Sequence, residues 1–476
     1  MKSVALNGRA ISPVSISHWD VSHGGELVFE MTDNPSGELG GGVEPGAEDA
    51  SVARAAADDA RRFAEDVASR LGDGRLARMF VSSYLDTIER TVRFGTKNGR
   101  DDTFVITGDI PAMWLRDSCA QVWTYLPLAK ESAAMRRILR GVLNRAFDCI
   151  RIDPYANAFL YDGEEASVWA DDMTEMRRGV HERKWELDSL AYPLRLAYGY
   201  WKATGDAEPF GEDYVASVRT ILSAMRTAQT VARYSFKRRS WTPYGTLADG
   251  KTAPFKPNGM VSSAFRPSDD ACILPLNVPG NIFAADALSK TAKVLRQTGA
   301  DPSLAGECET LAGEIRRAVE ESAIVDHPQF GRIYAYEIDG FGGRLVMDDA
   351  NAPSLLSLPY LCDEESFSRE VYDATRRMVL SGANPWFFRG SIGEGVGSSH
   401  TGANRIWPLA VAIRALTATN RAEMLQCIVQ LRDTTGGTGA MHDSVLATDD
   451  TEYTRGWFAW ADGLFAEAVL KGTVKE

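Results

Sequence analysis

No stretch of this 476-residue chain approaches eighteen uninterrupted apolar residues, so none is long enough to cross a bilayer as a helix. The first ten residues, Met1 to Ala10, lack an apolar core of signal-peptide length, and the expected location is the cytoplasm. Positive charge is in short supply: 52 Lys and Arg stand against 65 Asp and Glu, a net charge of −13. That balance argues against nucleic-acid phosphates and anionic membrane surfaces as partners, because both need a basic patch, and it suits a neutral substrate. Cysteine is sparse. The six, at 119, 149, 272, 308, 362 and 427, form no Cys-x-x-Cys pair, which excludes a disulfide framework and predicts buried free thiols. The six histidines never adopt a zinc-type spacing, so neither a metal nor a cofactor is implied.

What the chain does have is 44% hydrophobic and 25% charged residues, enough to bury a large core. Residues 1–50 carry one weak strand-like run at Leu27-Val28-Phe29-Glu30, then Gly40-Gly41-Gly42 and Pro45, and read as an irregular arm and linker. From Ser51 onward apolar residues recur at helical spacing, first at Val52, Ala56, Phe63, Val67 and Leu71, then through most of the chain. One period-two run, Arg332 to Asp339 followed by Arg344 to Met347, predicts a β-hairpin. About a dozen helices with long connections suggest an all-α fold, an α/α barrel occupying residues 51–476. The competing α-solenoid would show a fixed repeat, and none is present.

Four polar clusters sit at breaks between helices. In Thr107 to Ser118, Gly108, Asp109 and Pro111 interrupt regular structure, so the segment should be a loop entering a helix near Arg116. Trp114 offers an apolar face for a sugar ring, while Arg116 and Asp117 offer a donor fork and an acceptor for ring hydroxyls. The plainer alternative is that Arg116 and Asp117 pair with each other and cap a helix. In Phe265 to Asp270 the proline shapes a loop from which Asp269 and Asp270 point in different directions. Mutual repulsion and burial would raise the pKa of the one entering a pocket, whereas the other reads as an Asx turn capping a helix at Ala271. The remaining clusters are Gly397 to Thr401, with His400, and Met441 to Ser444, with His442 and Asp443. Glu394, in a glycine-rich stretch, is a spare carboxylate and a substitute base, and Glu186 and Asp188 either favour the dipole of the helix they open, the plainer reading, or face the pocket.

Together these clusters resemble glycoside hydrolase family 125, the exo-acting inverting α-1,6-mannosidases. The resemblance runs from about Phe80 to the C-terminus and includes Asp153 to Asn157, Trp185 to Ser189, Met347 to Asn351 and Trp457 to Trp460 in the expected order. It implies an (α/α)6 barrel, no cofactor, and a mannose-containing oligosaccharide or glycan as substrate. It also implies a sugar site drawing on Asp109, Trp114, Arg116, Asp117, Arg266, His400 and His442. It places the general acid at Asp269 or Asp270, and the base at Asp443, where the family carries a glutamate after the histidine. A second difference is Asp462-Gly463 in place of Asn-Ser. The expected activity is release of a terminal α-1,6-linked mannose. The alternatives are an exo-α-glycosidase acting on another sugar, or a sugar-binding homologue with impaired catalysis.

Overall fold

Apolar residues spaced three and four apart make most of the helices here, and the helices divide by how much of their circumference is buried. The computed structural model describes residues 3–6, 9–10, 27–30, 47–163, 165–230, 234–239 and 244–473. They fall into two compact units, Met1–Glu48 and Asp49–Glu476. The first holds a three-stranded antiparallel sheet in the order Arg9–Ala10, Ser3–Leu6, Leu27–Glu30. The strand expected at Leu27 is therefore present, with partners the sequence did not announce. The glycine-rich linker at 40–42 and Pro45 lies outside the described residues.

In the second unit α1 (Ala47–Ser69) packs on α2 (Gly74–Asp86), with the Phe63 and Tyr84 rings 5.3 Å apart. From α2 onward the helices alternate between two layers. The outer layer is α2, α4 (Ala133–Ile152), α6 (Glu212–Ala228), α8 (Pro302–Ser322), α10 (Arg369–Val379) and α12 (Arg421–Asp433). The inner layer is α3 (Leu115–Gln121), α5 (Asp188–Thr204), α7 (Val278–Thr298), the single turn α9 (Leu358–Leu361), α11 (Pro408–Leu416) and α13 (Ala459–Thr473). Neighbouring inner helices touch in the sequence α3–α5–α7–α9, and α11 touches α13, which returns to α3. This is the (α/α)6 barrel. Inner helices are buried almost all round, as a position between two layers requires: every residue of α3 is buried, Arg116 and Asp117 included, and in the apolar α11 only Arg414 escapes. The outer helix α10 instead buries Val371, Tyr372, Ala374, Thr375, Met378 and Val379, a single stripe.

The two layers also begin differently. Outer helices α2, α4, α8, α10 and α12 start on Asp73, Ser132, Asp301, Ser368 and Asn420, whose side chains accept first-turn N–H groups. Among inner helices, α3, α5 and α11 start on Trp114, Leu187 and Trp407 without any side-chain cap. Long connections gather at this end of the barrel and bring polar groups to those helix starts.

Two expectations need correction. The run 332–339 is not one strand of one hairpin: Gly331–Tyr334 pairs back to Ile324–His327, while Glu337–Ile338 pairs with Arg344–Leu345 and with Leu276–Asn277. The switch falls at Ala335–Tyr336, where Ala335 N–H bonds to Ala323 O and Tyr336 N–H to Leu345 O. An unbroken alternation conceals it, because both sheets need the same period. Nor is that region alone. Val92–Lys97 and Arg100–Val105 form a hairpin through Asn98-Gly99, both at positive φ (52° and 76°), a two-residue turn that Asn-Gly favours.

Candidate active site

The loop that leads into α3 is fixed first by its backbone. Gly108 has φ 121° and lies so close to the start of α13 that a Cβ would sit 2.8 Å from Trp457 O, so only glycine fits. Ala459 N–H bonds to Thr107 O across the same approach. Met113–Trp114 then pairs with Ala158–Phe159, and the chain enters α3 with Arg116 and Asp117 in its first turn. The loop-to-helix reading of this segment matches the structure. These groups line a cavity of ≈ 110 Å³ together with Thr107, Ile110, Trp114, Ser268, Asp269, Asn351, His400, Trp407, Asp443, Arg455 and Phe458.

Asp269 and Asp270 separate because the loop turns back on itself rather than capping a helix. Arg266 N–H bonds to Asp270 O at 2.7 Å, Asp269 N–H bonds to Arg266 O at 2.9 Å, and Phe265 bridges Ala271. Asp269 takes the left-handed φ of 65° at the tip. The helix expected from Ala271 begins only at Val278. Asp269 thus faces the cavity, 3.4 Å from Arg116 Nη2 and 3.3 Å from Asn157 Nδ2. Asp270 faces away, accepting from Ser399 Oγ and meeting His400 Nδ1 at 3.0 Å.

The electrostatics overturn a second expectation. Burial works to raise the Asp269 carboxyl, yet Lys184 and Arg116 beside it hold it below the usual carboxylate range. Repulsion from Asp270 is not what governs it, since Asp270 is engaged with His400. The raised carboxyls are its neighbours. Burial pushes Glu186 well up against the opposing charge of Arg116, and pushes Asp117 up to about 6. Burial also raises Asp443, with His400 and Arg455 pulling the other way. Asp443 is held by Thr454 Oγ1, which donates to its Oδ2 at 3.0 Å. Burial opposes charge on His400, whose side chain is still 41% exposed, but the hydrogen bond and charge of Asp270 drive its pKa up to about 9. In two of the residues that line the cavity a buried polar atom, Trp114 Nε1 and Asp117 Oδ2, has no hydrogen-bond partner within the protein, although Arg116 Nε stands 3.3 Å from the latter.

Of the expected site residues, the cavity brings together Trp114, Arg116, Asp117, Asp269, His400 and Asp443. Asp109 stands beside it, exposed and paired with Arg455, whose Nε donates at 2.9 Å. Arg266 lies behind the loop, bound to Glu337 by Nε at 2.6 Å, and does not line the cavity. His442 is fully buried, stacked on Tyr453 at 3.7 Å and bonded to Arg455 O and Thr435 O, so it shapes the Asp443 loop from behind. Glu394 is tied up between Arg389 (2.6 Å) and Arg414 (2.8 Å) away from the cavity, which removes it as a substitute base. Asp188 stands in the first turn of α5, as the dipole reading has it, and Glu186 just before it, and both are buried against Arg116 at 2.6 Å for Glu186 and 3.2 Å for Asp188. The reading of residues missed Arg455, Trp407 and Asn157. Trp407 was visible as a helix start, whereas Arg455 belongs to no motif. Among the described residues no group of three His, Cys, Asp or Glu is placed to hold a metal ion.

A helical barrel whose inner-helix starts converge on a small cavity of carboxyls, guanidinium groups and aromatic rings holds the paired acids that glycoside hydrolysis uses. The chain belongs to glycoside hydrolase family 125, the metal-independent α-mannosidases, whose family model matches residues 73–470. It is 37% identical over 429 residues to the meiotically up-regulated gene 157 protein of Schizosaccharomyces pombe, covering 85% of this chain and 84% of that one. It is also similar to a metal-independent α-mannosidase of Streptococcus pneumoniae solved in a non-productive complex with α-1,6-mannobiose. That match has a TM-score of 0.84 and 40% identity, covering 87% of this chain and 98% of that one. A bacterial glucoamylase complexed with acarbose shares the fold alone, at TM-score 0.52 and 10% identity over 83% of this chain and 55% of that one.

Proposed function

We propose that this protein is an exo-acting, inverting α-mannosidase that releases a terminal α-1,6-linked mannose from an oligosaccharide or glycan. The observation that carries the reading is the pair of carboxyls, Asp269 and Asp443, sharing one cavity of ≈ 110 Å³. A cavity this small leaves no room for an internal stretch of a glycan chain, which agrees with action at a chain end. Trp114 supplies a ring face. Arg116, Asp117 and His400 supply polar atoms for the hydroxyls.

Inversion needs an acid that protonates the leaving oxygen and a base that draws a proton from a water attacking the anomeric carbon from the other side. Asp269 is the acid, because it is the member of its pair that faces the cavity. Asp443 is the base, at the position where the family carries glutamate. Its shorter side chain leaves the carboxylate about 1.5 Å further back, and Thr454 fixes its direction.

The carboxyl directions favour a second reading in which the roles are exchanged, since Asp443 is raised and Asp269 lowered. Leaving groups separate the two. An aryl α-mannoside whose phenol departs without a proton bypasses the acid but not the base, so the variant that keeps activity on it has lost the acid. The linkage is tested on α-1,2-, α-1,3- and α-1,6-mannobiose: free mannose from the α-1,6 compound alone supports the reading, and release from none of them removes it.

A further inference from the structure

Behind Asp269 lies a group of acids with too few cations. Arg116, 2% exposed, faces Glu186 and Asp188 through Nη1 at 2.6 and 3.2 Å, Asp269 through Nη2 at 3.4 Å, and Asp117 through Nε at 3.3 Å. One guanidinium therefore serves four carboxyls. Lys184 adds a charge nearby, but its Nζ donates to Asp269 O and pairs with Glu182. Asn157 ties the group together: its Nδ2 lies 3.3 Å from both Glu186 Oε1 and Asp269 Oδ1, and 2.9 Å from Glu182 Oε2. Glu186 is completely buried. Two ionised carboxylates meeting at one amide away from water repel strongly, and holding a single proton between them removes the repulsion.

We propose that Glu186 is a positioning residue that shares one proton with Asp269 and thereby keeps the acid charged with a proton at neutral pH. The inference rests on Asp269 being the acid. In one arrangement Glu186 carries the proton and Asp269 is ionised; in the other the proton has crossed to Asp269 and Arg116 stabilises the Glu186 carboxylate. The second is the reactive form. Asp269 gives its proton to the glycosidic oxygen as the C1–O bond breaks, and the proton that Asp443 takes from the attacking water returns to the pair through solvent once the product leaves. The direction of Asp269 and Glu186, one low and one high, is that of a pair whose proton rests on the more deeply buried member. The other groups facing the pair are His400, Cys272 and Tyr234. A charged His400 draws the Asp269 side down. Cys272 and Tyr234 are held neutral by burial, so neither competes for the proton.

The test is Glu186→Gln, which keeps the shape and removes the shared proton. The alkaline limb of kcat/KM should move at least one pH unit to the acid side, because Asp269 keeps Arg116 and Lys184 and loses the repulsion of the Glu186 carboxylate. Glu186→Asp should bring the limb part of the way back. A merely structural role would lower kcat and leave the limb in place, and an unmoved limb overturns the proposal. An infrared spectrum at pH 7 reads the proton without turnover: Glu186→Gln should contain one protonated carboxyl fewer than the parent, and an unchanged count overturns the proposal. A parent protein that releases no mannose yet loses that carboxyl in Glu186→Gln would sink the catalytic reading and leave proton sharing standing.

Discussion

Asp269 and Asp270 are consecutive residues whose carboxylates turn apart: the first enters the cavity beside Arg116 and Asn157, and the second turns out of it to meet His400, which lines the cavity, at 3.0 Å. The separation follows from the left-handed residue at the loop tip. It predicts unequal effects. Asp269→Asn should lower kcat on α-1,6-mannobiose by at least about 100-fold and spare an aryl mannoside with a good leaving group. Asp270→Asn should act through His400, lowering its pKa towards about 6.5 with a smaller loss on both substrates, as read by NMR titration of the ring.

For Asp443 the prediction is a loss that no leaving group rescues. Asp443→Asn should fall by at least about 100-fold on both substrates with KM little changed, since the amide keeps the shape. Asp443→Glu should retain or raise activity on α-1,6-mannobiose by advancing the carboxylate. Glu394→Gln, which breaks only pairs with Arg389 and Arg414, should leave kcat where it is.

The His400–Asp270 pair should also appear in stability against pH. A histidine whose folded pKa is about 9 and whose unfolded pKa is about 6.5 binds protons more strongly when folded. Its contribution is complete below about pH 6.5 and is lost as pH rises through about 9. Chemical denaturation at pH 6, 7.5 and 9 should show this decline in the parent and a flatter profile in His400→Gln. The same decline in both would mean that the pair is not formed.

Asp462 gives the opposite engineering outcome. Its carboxyl is buried, accepts from Ser83 Oγ at 2.8 Å and Met441 N–H at 3.0 Å, and burial together with the nearby Asp86 raises it to about 7. It remains protonated in the fold where an unfolded aspartate, near 3.9, is already ionised, so stability falls as pH climbs from about 4 to about 7. Asp462→Asn keeps the acceptor and removes that fall. At about 1.4 kcal/mol per pH unit the gain should approach the order of 4 kcal/mol above pH 7 and nearly vanish at pH 4, measurable as a difference in Tm.

The sequence was most readable where a physical period had to hold over many residues. Apolar spacing puts helices at 281–297, 304–322 and 422–432, and α7, α8 and α12 lie within three residues of those bounds, because burial against a second layer leaves little freedom. The turn at Asn98-Gly99 was equally explicit and went unread. Polar residues were legible as clusters but not by direction. Nothing in Arg266 or His442 tells that their side chains turn behind the loops that carry them, and nothing in Glu186 distinguishes a surface helix start from a buried partner of Asp269. Those outcomes depend on elements far apart in the chain, such as Asn157 meeting Asp269 or Arg116 meeting Glu186, and no local pattern encodes them.

The anomer released first from α-1,6-mannobiose tests the central claim most directly. With the parent protein, proton NMR recorded before mutarotation equalises the forms should show β-mannose appearing first, as a water activated by Asp443 on the face away from Asp269 requires. The appearance of α-mannose first would contradict an inverting reaction between these two carboxyls.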